Sequence, residues 1–311
     1  MKPVVILGIF VADTGFRAAR LPRPGETLLA EGFTLGPGGK GSNQAVAAAS
    51  AARGTGRGVH FITRLGRDPF ADLAHATWAE AGVTPETFAD PQDRTGAAFI
   101  FVDAATGENA IIVAPGAAAR IGTAEPEAKA DLIRGAAVFV TQLEQPLCAA
   151  RRGLEIARAA GVTTILNPAP ACALDEGLLR LCDFVTPNET EAEALTGLAV
   201  TSVESAGRAA GALIARGAGA AVVTLGAQGA LYRDGTRMIH QPAFDAGRVV
   251  ETTGAGDAFN GAFALALAEG QDPAQALRFA TATAAIAVTR AGAAAAMPAR
   301  GETLALLERL G

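Results

Sequence analysis

Short apolar runs alternate along the chain with alanine-rich segments, and this alternation predicts the secondary structure. Most of the runs are apolar throughout, which is typical of strands that are covered on both faces of a sheet. The predicted strands are Val4–Ile9, Val59–Leu65, Ala137–Thr141, Thr163–Asn167, Asp183–Thr186 and Ala220–Leu225. The predicted helices are Ser42–Ala52, Ala71–Ala81, Leu147–Ala160, Glu189–Leu195, Ala206–Arg216, Ala255–Ala268, Pro273–Val288 and Thr303–Leu310. Such alternation predicts an α/β fold, with a doubly wound, mostly parallel sheet flanked by helices.

Two segments, 14–36 and 94–114, interrupt this alternation with turn residues and with apolar residues at every second position. The period of two is clearest in Glu26–Leu35 and Ala97–Val102, and it predicts strands. We expect these strands to form a small antiparallel β-lid that projects from the main sheet, with an outer face suited to a dimer contact. No repeat, linker or low-complexity segment divides the chain, so we predict one α/β domain over residues 1–311.

The composition narrows the class of protein. Half of the 311 residues are hydrophobic, enough for a large core without disulfides or structural metals. The net charge of −5 and the absence of any Lys or Arg run argue against a nucleic-acid or anionic-membrane partner. Cys148, Cys172 and Cys182 match no zinc or CxxC spacing, which indicates a reducing compartment. The sequence shows no leader-like start and no apolar stretch of about 18 residues, so we expect a cytoplasmic protein.

The segment Gly254-Ala255-Gly256-Asp257 carries the most chemical information. Small residues directly before a strong helical run leave main-chain N–H groups unpaired at the positive end of a helix dipole, which makes an anion hole. Phosphoryl transfer needs such a feature, and Asp257 at its edge is suited to accept the proton of an attacking alcohol. A helix cap and a simple turn explain the same four residues equally well on local grounds.

A second candidate site lies in Thr186-Pro-Asn188-Glu-Thr-Glu191. Asn188 with Glu191 three residues later is the pattern of a capping box, and locally this interpretation is favoured. The same two side chains follow a predicted strand, at the edge where open α/β sheets bind ligands. There they could hold a magnesium ion through its water shell, and the two roles are compatible.

The glycine-rich segment Gly36–Gly41 matches G-x-G-x-x-G by letter but lacks the acidic residue of a dinucleotide site. It is no Walker loop, because Gly41 rather than Ser or Thr follows Lys40. We interpret its glycines as allowing the backbone close to a small polar ligand, with Lys40 and Asn43 as donors and Asp13 as an acceptor. The alternative is a plain loop with a solvated lysine.

Taken together, these motifs resemble the ribokinase/PfkB family of carbohydrate kinases, over nearly the whole chain. The matching segments are Leu21-Pro-Arg-Pro-Gly-Glu-Thr27, Gly38-Gly-Lys-Gly-Ser-Asn-Gln-Ala-Val-Ala-Ala48, Gln142-Leu-Glu144, Asn167-Pro-Ala-Pro170, Thr186-Pro-Asn-Glu-Thr-Glu-Ala192, Thr224-Leu-Gly226, Gly254-Ala-Gly-Asp257 and Ala287-Val-Thr-Arg290. The resemblance implies transfer of phosphate from ATP to the primary hydroxyl of a pentose, D-ribose giving ribose 5-phosphate.

The resemblance also implies a role for individual residues. It makes Asp257 the catalytic base, beside an anion hole of Gly254, Ala255 and Gly256. The implied sugar contacts are Asp13, Gly39, Lys40, Asn43, Glu144 and Asp257. The implied contacts of the nucleotide are Asn188, Thr224, Gly226, Thr281 and Thr283. It places Glu191 near Mg²⁺ through water, Glu251 near a possible K⁺ ion, and a homodimer contact on the β-lid.

Three departures from the family pattern bear on these expectations. Val11 stands where an amide would contact the sugar, so a hydrogen bond to one hydroxyl is lost. Glu251 replaces an Asp and Ala296 replaces a hydroxyl residue at the monovalent-cation site, which weakens its side-chain ligands. Ala118 replaces an Asn on the lid side, and the sequence indicates no consequence.

Other functions stay open at this point. Within the kinase class, the acceptor could be another small sugar, a sugar acid or a nucleoside. An NAD-dependent dehydrogenase using Gly36–Gly41 is disfavoured by the missing acidic residue. A catalytically silent sugar-binding regulator is disfavoured because nothing in it would require Asp257 together with its glycines.

Overall fold

The computed structural model describes residues 1–310, which form two sheets and the helices around them. The strands are β1 Val4–Leu7, β2 Val11–Ala18, β3 Gly32–Gly38, β4 Val59–Leu65, β5 Thr84–Ala89, β6 Thr95–Asp103, β7 Asn109–Gly116, β8 Val138–Thr141, β9 Thr163–Leu166, β10 Phe184–Val185, β11 Ala220–Thr224, β12 Ala230–Arg233 and β13 Met238–Gln241. The α-helices are α1 Lys40–Ala52, α2 Pro69–Ala81, α3 Ala124–Ala128, α4 Ala130–Arg134, α5 Leu147–Ala159, α6 Glu176–Leu179, α7 Glu189–Thr196, α8 Val203–Ala215, α9 Ala255–Ala268, α10 Pro273–Ala287 and α11 Arg300–Arg309.

The main sheet has nine strands in the order β13-β12-β11-β10-β9-β8-β1-β4-β5. From β11 to β5 every neighbouring pair is parallel, and β12 and β13 add an antiparallel edge. The predicted α/β class with a mostly parallel sheet is therefore confirmed. The carboxyl ends of β8 to β11 meet at one edge, where open α/β sheets bind their ligands.

The second sheet has the order β3-β2-β6-β7 and is built from the two segments that interrupt the strand–helix alternation. Its pairs β2–β3 and β6–β7 are antiparallel, as expected of the β-lid, while the central pair β2–β6 is parallel. The strand predicted over Glu26–Leu35 is wrong in its first half, since β3 begins at Gly32. Arg17 is paired with Gly32, and β2 ends at Ala18, so residues 26–31 have no partner strand to pair with.

Apolar residues fill both faces of the main sheet. In β1, Val4 and Ile6 belong to one buried cluster and Val5 and Leu7 to the other, as the alternation of side chains in a strand requires. Both faces are covered, which explains why the strand segments are apolar throughout. None of the helices within residues 1–310 combines the length and the apolar character that a membrane span needs.

The packing of α1 against α9 determines the geometry of the site described next. At their crossing, a Cβ on Gly261 would lie 2.5 Å from the carbonyl oxygen of Gln44 and 2.6 Å from Cβ of Ala47. Only a glycine allows the two backbones to approach this closely. The N-terminal turns of α1 and α9 are thereby brought together over the carboxyl edge of the sheet.

Candidate active site

A cleft of about 190 Å³ lies at the carboxyl edge of the main sheet. Its walls include Lys40 from α1, Asn188 and Glu191 from the start of α7, and Gly254 and Asp257 from the start of α9. Residues predicted from separate motifs therefore line one cavity, at the edge where parallel sheets present their ligand sites.

A wider hollow of about 520 Å³ lies at the opposite edge, where β9, β10 and β11 begin. Its charged side chains are paired: Arg158 forms a salt bridge with Asp183, and Asp234 forms one with Arg237. This hollow contains none of the predicted site residues, so we assign the chemistry to the smaller cleft.

The start of α9 leaves main-chain N–H groups without partners, as the glycine motif predicts, with one exception. Gly254 adopts φ 78°, and a Cβ there would lie 2.9 Å from Cα of Ala293, so both backbone and space require glycine. Within residues 1–310, the main-chain N–H groups of Gly254, Gly256 and Asp257 donate no hydrogen bond, and they lie at the positive end of the helix dipole. The N–H of Ala255, in contrast, donates to the carbonyl of Thr252 at 3.2 Å, so Ala255 offers no free donor.

Asp257 is the buried carboxylate of the cleft, with 6% of its surface exposed. Asn43 Nδ2 donates to its Oδ2 at 3.0 Å, and Gln44 Nε2 donates to its Oδ1 at 3.0 Å. Burial raises the pKa of Asp257, while the positive charge of Lys40 and the two amide donors lower it. A carboxylate held in this way is suited to accept a proton from an alcohol that enters the cleft.

The glycines before α1 allow close approach of the backbone, as predicted. A Cβ on Gly38 would lie 2.2 Å from Oδ2 of Asp13, so only glycine leaves room for that carboxylate. Gly39, with φ 88°, precedes the first residue of α1, and the N–H of Lys40 donates to Oε2 of Glu144 at 2.7 Å. The predicted contacts Asp13, Gly39, Lys40 and Glu144 therefore lie together.

Carboxyl groups dominate the charge on this side of the cleft. Burial raises the pKa of Asp13 to about 6 and that of Glu144 to about 7. For Lys40, burial alone would lower the pKa, but the charges of Asp257, Glu144 and Glu191 outweigh it and raise the pKa. The lysine therefore stays charged beside the carboxylates. Nearby, Asn43 Oδ1 is buried and accepts no hydrogen bond from the residues that the structure describes, so it is free to accept one from a ligand.

Asn188 and Glu191 form the capping box that their spacing predicts. Asn188 Oδ1 accepts from the N–H of Glu191 at 2.8 Å, and Glu191 Oε2 accepts from the N–H of Asn188 at 2.9 Å. Oε1 of Glu191 makes no hydrogen bond within residues 1–310 and is left for a ligand. Thr224 pairs with Asn188 in an isolated parallel bridge, and Gly226 follows with φ 50°. The residues predicted to contact the nucleotide and Mg²⁺ at this point are thus adjacent.

These oxygens fit a magnesium ion that is held through water. In the described part of the chain, no group of three His, Cys, Asp or Glu side chains is arranged to hold a metal ion. Glu191 and Asn188 would therefore supply one or two contacts, and water or phosphate oxygens the rest, which is the usual coordination of Mg²⁺ beside phosphates.

The residues of the predicted monovalent-cation site fit such an ion only in part. Oε2 of Glu251 accepts from the N–H of Gly292 at 2.8 Å, and Ala296 is buried and supplies no side-chain oxygen. A potassium ion here would depend on Oε1 of Glu251 and on main-chain carbonyls.

One predicted contact of the nucleotide is wrong. Thr283 has 0% of its surface exposed, and its hydroxyl donates to the carbonyl of Phe279 and lies 3.2 Å from the hydroxyl of Thr303. It packs α10 against α11 and faces away from solvent. Thr281 keeps 5% exposure, and its hydroxyl donates to the carbonyl of Leu277.

Comparison with known proteins identifies the family. The pfkB family carbohydrate kinase model matches residues 1–300. The chain belongs to the PfkB family. A ribokinase of Haemophilus influenzae is 39% identical over 310 residues, with 99% of each chain covered. A deoxyribokinase of Salmonella typhimurium is 35% identical over 298 residues, with 95% of each covered. The structure of Arabidopsis thaliana ribokinase complexed with ribose and ATP superposes with a TM-score of 0.94, at 32% identity and 99% coverage of both chains.

As a PfkB-family carbohydrate kinase, the protein is a phosphotransferase, and its site contains buried polar residues to which the sequence analysis assigned no role. Asn167, Thr186 and Asn260 line the cleft, and Gln44 lies behind Asp257. Thr186 Oγ1 donates to Asn260 Oδ1 at 2.5 Å, and Asn260 Nδ2 donates to the carbonyl of Gly256 at 2.8 Å. A signal for one of them was present: Ser42, Asn43 and Gln44 are three consecutive polar residues at the start of an otherwise apolar helix.

Proposed function

We propose that the protein transfers the γ-phosphoryl group of ATP to the primary hydroxyl of D-ribose, giving ribose 5-phosphate. The observation that carries this proposal is the position of Asp257, buried beside free main-chain N–H groups and bonded to Asn43. The relatives named ribokinase and the ribokinase structure complexed with ribose and ATP support the same acceptor and donor.

The site residues divide the work of the reaction. Asp257 accepts the proton of the attacking hydroxyl, and the freed alkoxide attacks the phosphorus in line with the departing ADP. The N–H groups of Gly254 and Gly256 stabilise charge on the transferred phosphoryl oxygens, as donors aimed at a developing charge do. A magnesium ion, when bound through Glu191, neutralises phosphate charge. Lys40 adds a positive charge between the carboxylates and the phosphates.

Sugar hydroxyls have several acceptors on the other side of the cleft. Asp13 and Glu144 offer carboxylate oxygens, and Asn43 offers its unpartnered Oδ1.

Val11 is 5% exposed and packs in one apolar cluster with Ala98 and Ala118 at the base of the lid. An apolar wall here favours a second candidate acceptor, a deoxypentose, because no side-chain partner waits for the missing hydroxyl. The deoxyribokinase relative points to the same alternative.

Sugar-dependent release of ADP, measured with ribose and 2-deoxyribose, tests the proposal. The wild type should turn over with ATP and at least one of the two sugars. Asp257→Asn removes the base and should lower kcat by about a thousandfold. Val11→Asn should shift the ratio of kcat/KM values toward ribose. An Asp257→Asn variant that turns over like the wild type would refute the assignment of the base.

Three further properties belong to this proposal. We infer a Mg²⁺ requirement from the free oxygen of Glu191. We infer a location in the cytoplasm from the three free cysteines, because that compartment keeps thiols reduced.

The β-lid exposes an apolar face that includes Phe33, Leu35 and Ile112, and such a patch is suited to the same face of a second copy. Ile112→Lys should convert a dimer into a monomer in light scattering. K⁺ activation stays a prediction.

A further inference from the structure

Gln44 lies next to the catalytic base but outside the cleft. It has 0% of its surface exposed and follows Asn43 in the first turn of α1. Its side-chain Nε2 donates to Asp257 Oδ1 at 3.0 Å and also lies 3.1 Å from Asn167 Oδ1. Its Oε1 accepts from Gln142 Nε2 at 2.6 Å. Every hydrogen bond that the Gln44 side chain makes within residues 1–310 is therefore made to another side chain of the protein.

The hydrogen bonds around Gln44 admit only one orientation of its amide. Asn167 Nδ2 donates to the carbonyl of Thr186 at 2.8 Å, and because a carbonyl only accepts, Asn167 must turn its Oδ1 toward Gln44. An ionised Asp257 is also only an acceptor. Gln44 therefore meets both groups with its NH₂ and faces Gln142 with its oxygen.

We propose that Gln44 is a positioning residue that aims Asp257 and keeps it ionised, with Gln142 and Asn167 holding its amide. Gln44 and Asn43 each donate to one oxygen of Asp257, which prevents rotation of the carboxylate. A carboxylate has about four acceptor directions, so two stay free for the substrate hydroxyl. This inference rests on the proposed kinase function and deepens it.

The surroundings of Asp257 explain why such a donor is needed. Lys40 on α1 faces it with a positive charge, and Glu144 after β8 and Glu191 on α7 face it with carboxyl groups. Burial favours the protonated acid, which cannot accept the proton of the alcohol. Two N–H donors act in the opposite direction, because they stabilise only the ionised form.

The pH profile of kcat separates this role from packing. Gln44→Met keeps the length of the side chain and removes both donors. We expect its kcat to fall about tenfold or more and the acid limb of its kcat profile to move up by about one pH unit. The KM for the sugar should stay within about threefold, because Gln44 has 0% of its surface exposed and its amide is hydrogen-bonded to protein side chains. Gln44→Glu, which adds a negative charge at the same place, should move the limb further in the same direction.

Ser42→Ala is the matched control. Ser42 is equally buried on the same helix, and its Oγ accepts from Trp78 Nε1 at 2.9 Å, away from Asp257. Its loss should lower the melting temperature and leave the acid limb where it is in the wild type. If Gln44→Met does not fold, Gln142→Met is the deciding variant, because it frees Oε1 of Gln44 and should move the limb by a smaller amount in the same direction.

Each result has one meaning. An acid limb that is unchanged in Gln44→Met, or in Gln142→Met where only that variant folds, would overturn the positioning role. So would a KM that rises while kcat stays constant. A wild type without sugar-dependent release of ADP would instead overturn the proposed function.

Discussion

The two sides of the cleft are built in different ways. On the acceptor side, Asp257, Asn43 and Gln44 are buried and bonded to one another across the crossing of α1 and α9. On the phosphate side, Asn188 and Gly256 are more open to solvent, and the donors that face the cleft are main-chain N–H groups without partners among the described residues. One side is completed by its own hydrogen bonds, while the other is left open.

The difference follows from what each side has to bind. A small neutral acceptor brings no charge, so the groups that activate it must be held in place and desolvated beforehand. A polyphosphate brings strong charge and its own metal ion, so free N–H groups at a helix start are sufficient. The acceptor side therefore carries carboxyl groups with raised pKa values, Asp13 at about 6 and Glu144 at about 7.

The largest effect is expected on the phosphate side at Gly254. Gly254→Ala forces a Cβ onto a backbone of φ 78° and against Ala293, which displaces the N–H groups of the anion hole. We expect kcat to fall about a hundredfold, as when a donor to a developing charge is removed.

Gly270→Ala is the control for this change. Gly270 has a similar φ of 84°, no atom lies within 4 Å of the position that a Cβ would take, and the residue has no role in the cleft. Both variants should lose about 1 kcal/mol of folding free energy from backbone strain, and Gly254→Ala should lose more because its Cβ also meets Ala293. Equal kcat values in the two variants would contradict the proposal that the N–H groups at the start of α9 stabilise the transferred phosphoryl group. The two sides of the cleft would then not differ in the way described.

On the acceptor side, Glu144→Gln should raise the stability of the fold and weaken the binding of the sugar. The pKa of Glu144 is raised to about 7 from 4.5, so its ionisation destabilises the folded state progressively as the pH rises from about 4.5 to about 7. The amide avoids this loss and still accepts from Lys40. We expect a gain of roughly 2–3 kcal/mol in unfolding free energy at pH 8 and none at pH 4. The KM for the sugar should rise about tenfold with the loss of a charged acceptor.

Glu26→Gln, at a residue outside the cleft, should change the stability of the fold in the opposite direction. Arg20 lowers the pKa of the exposed Glu26 to about 2, so its ionisation stabilises the fold above the unfolded pKa, and this is lost as the pH falls through about 2. The variant should be slightly less stable at pH 7, with an unchanged KM. Chemical denaturation between pH 4 and 8 measures both variants. A Glu144→Gln protein that is no more stable at pH 8 would contradict the burial of this carboxyl.

The sequence predicted the fold and the capping box at the start of α7 well, for identifiable reasons. Apolar runs such as Val59–Leu65 coincide with strands because strands covered on both faces leave a local pattern. The capping box of Asn188 and Glu191 is likewise a local pattern, with its two members three residues apart, and the structure contains it.

Features that depend on distant pairing could not be predicted in the same way. Gln44 bonds to Asp257, 213 positions away, and to Asn167, 123 positions away, so no local pattern indicates its role. The strand expected from Glu26 has the right alternation but no partner until Gly32. The expectation for Thr283 rests on its helix alone, and the face of that helix is determined by the packing of α11.

The smallest effect tests where the phosphate side ends. Thr283→Val removes hydroxyl contacts with Phe279 and Thr303 in the core, which should lower stability by about 1 kcal/mol while the KM for ATP stays within about twofold. Thr281→Val, two residues earlier on α10 and 5% exposed, should raise the KM for ATP by a few-fold if this position borders the adenine of ATP. Thermal melts and initial rates at varied ATP separate the two variants. A residue that only joins α10 to α11 should not affect the KM for ATP. A larger rise in this KM from Thr283→Val than from Thr281→Val would therefore show that Thr283 belongs to the nucleotide site.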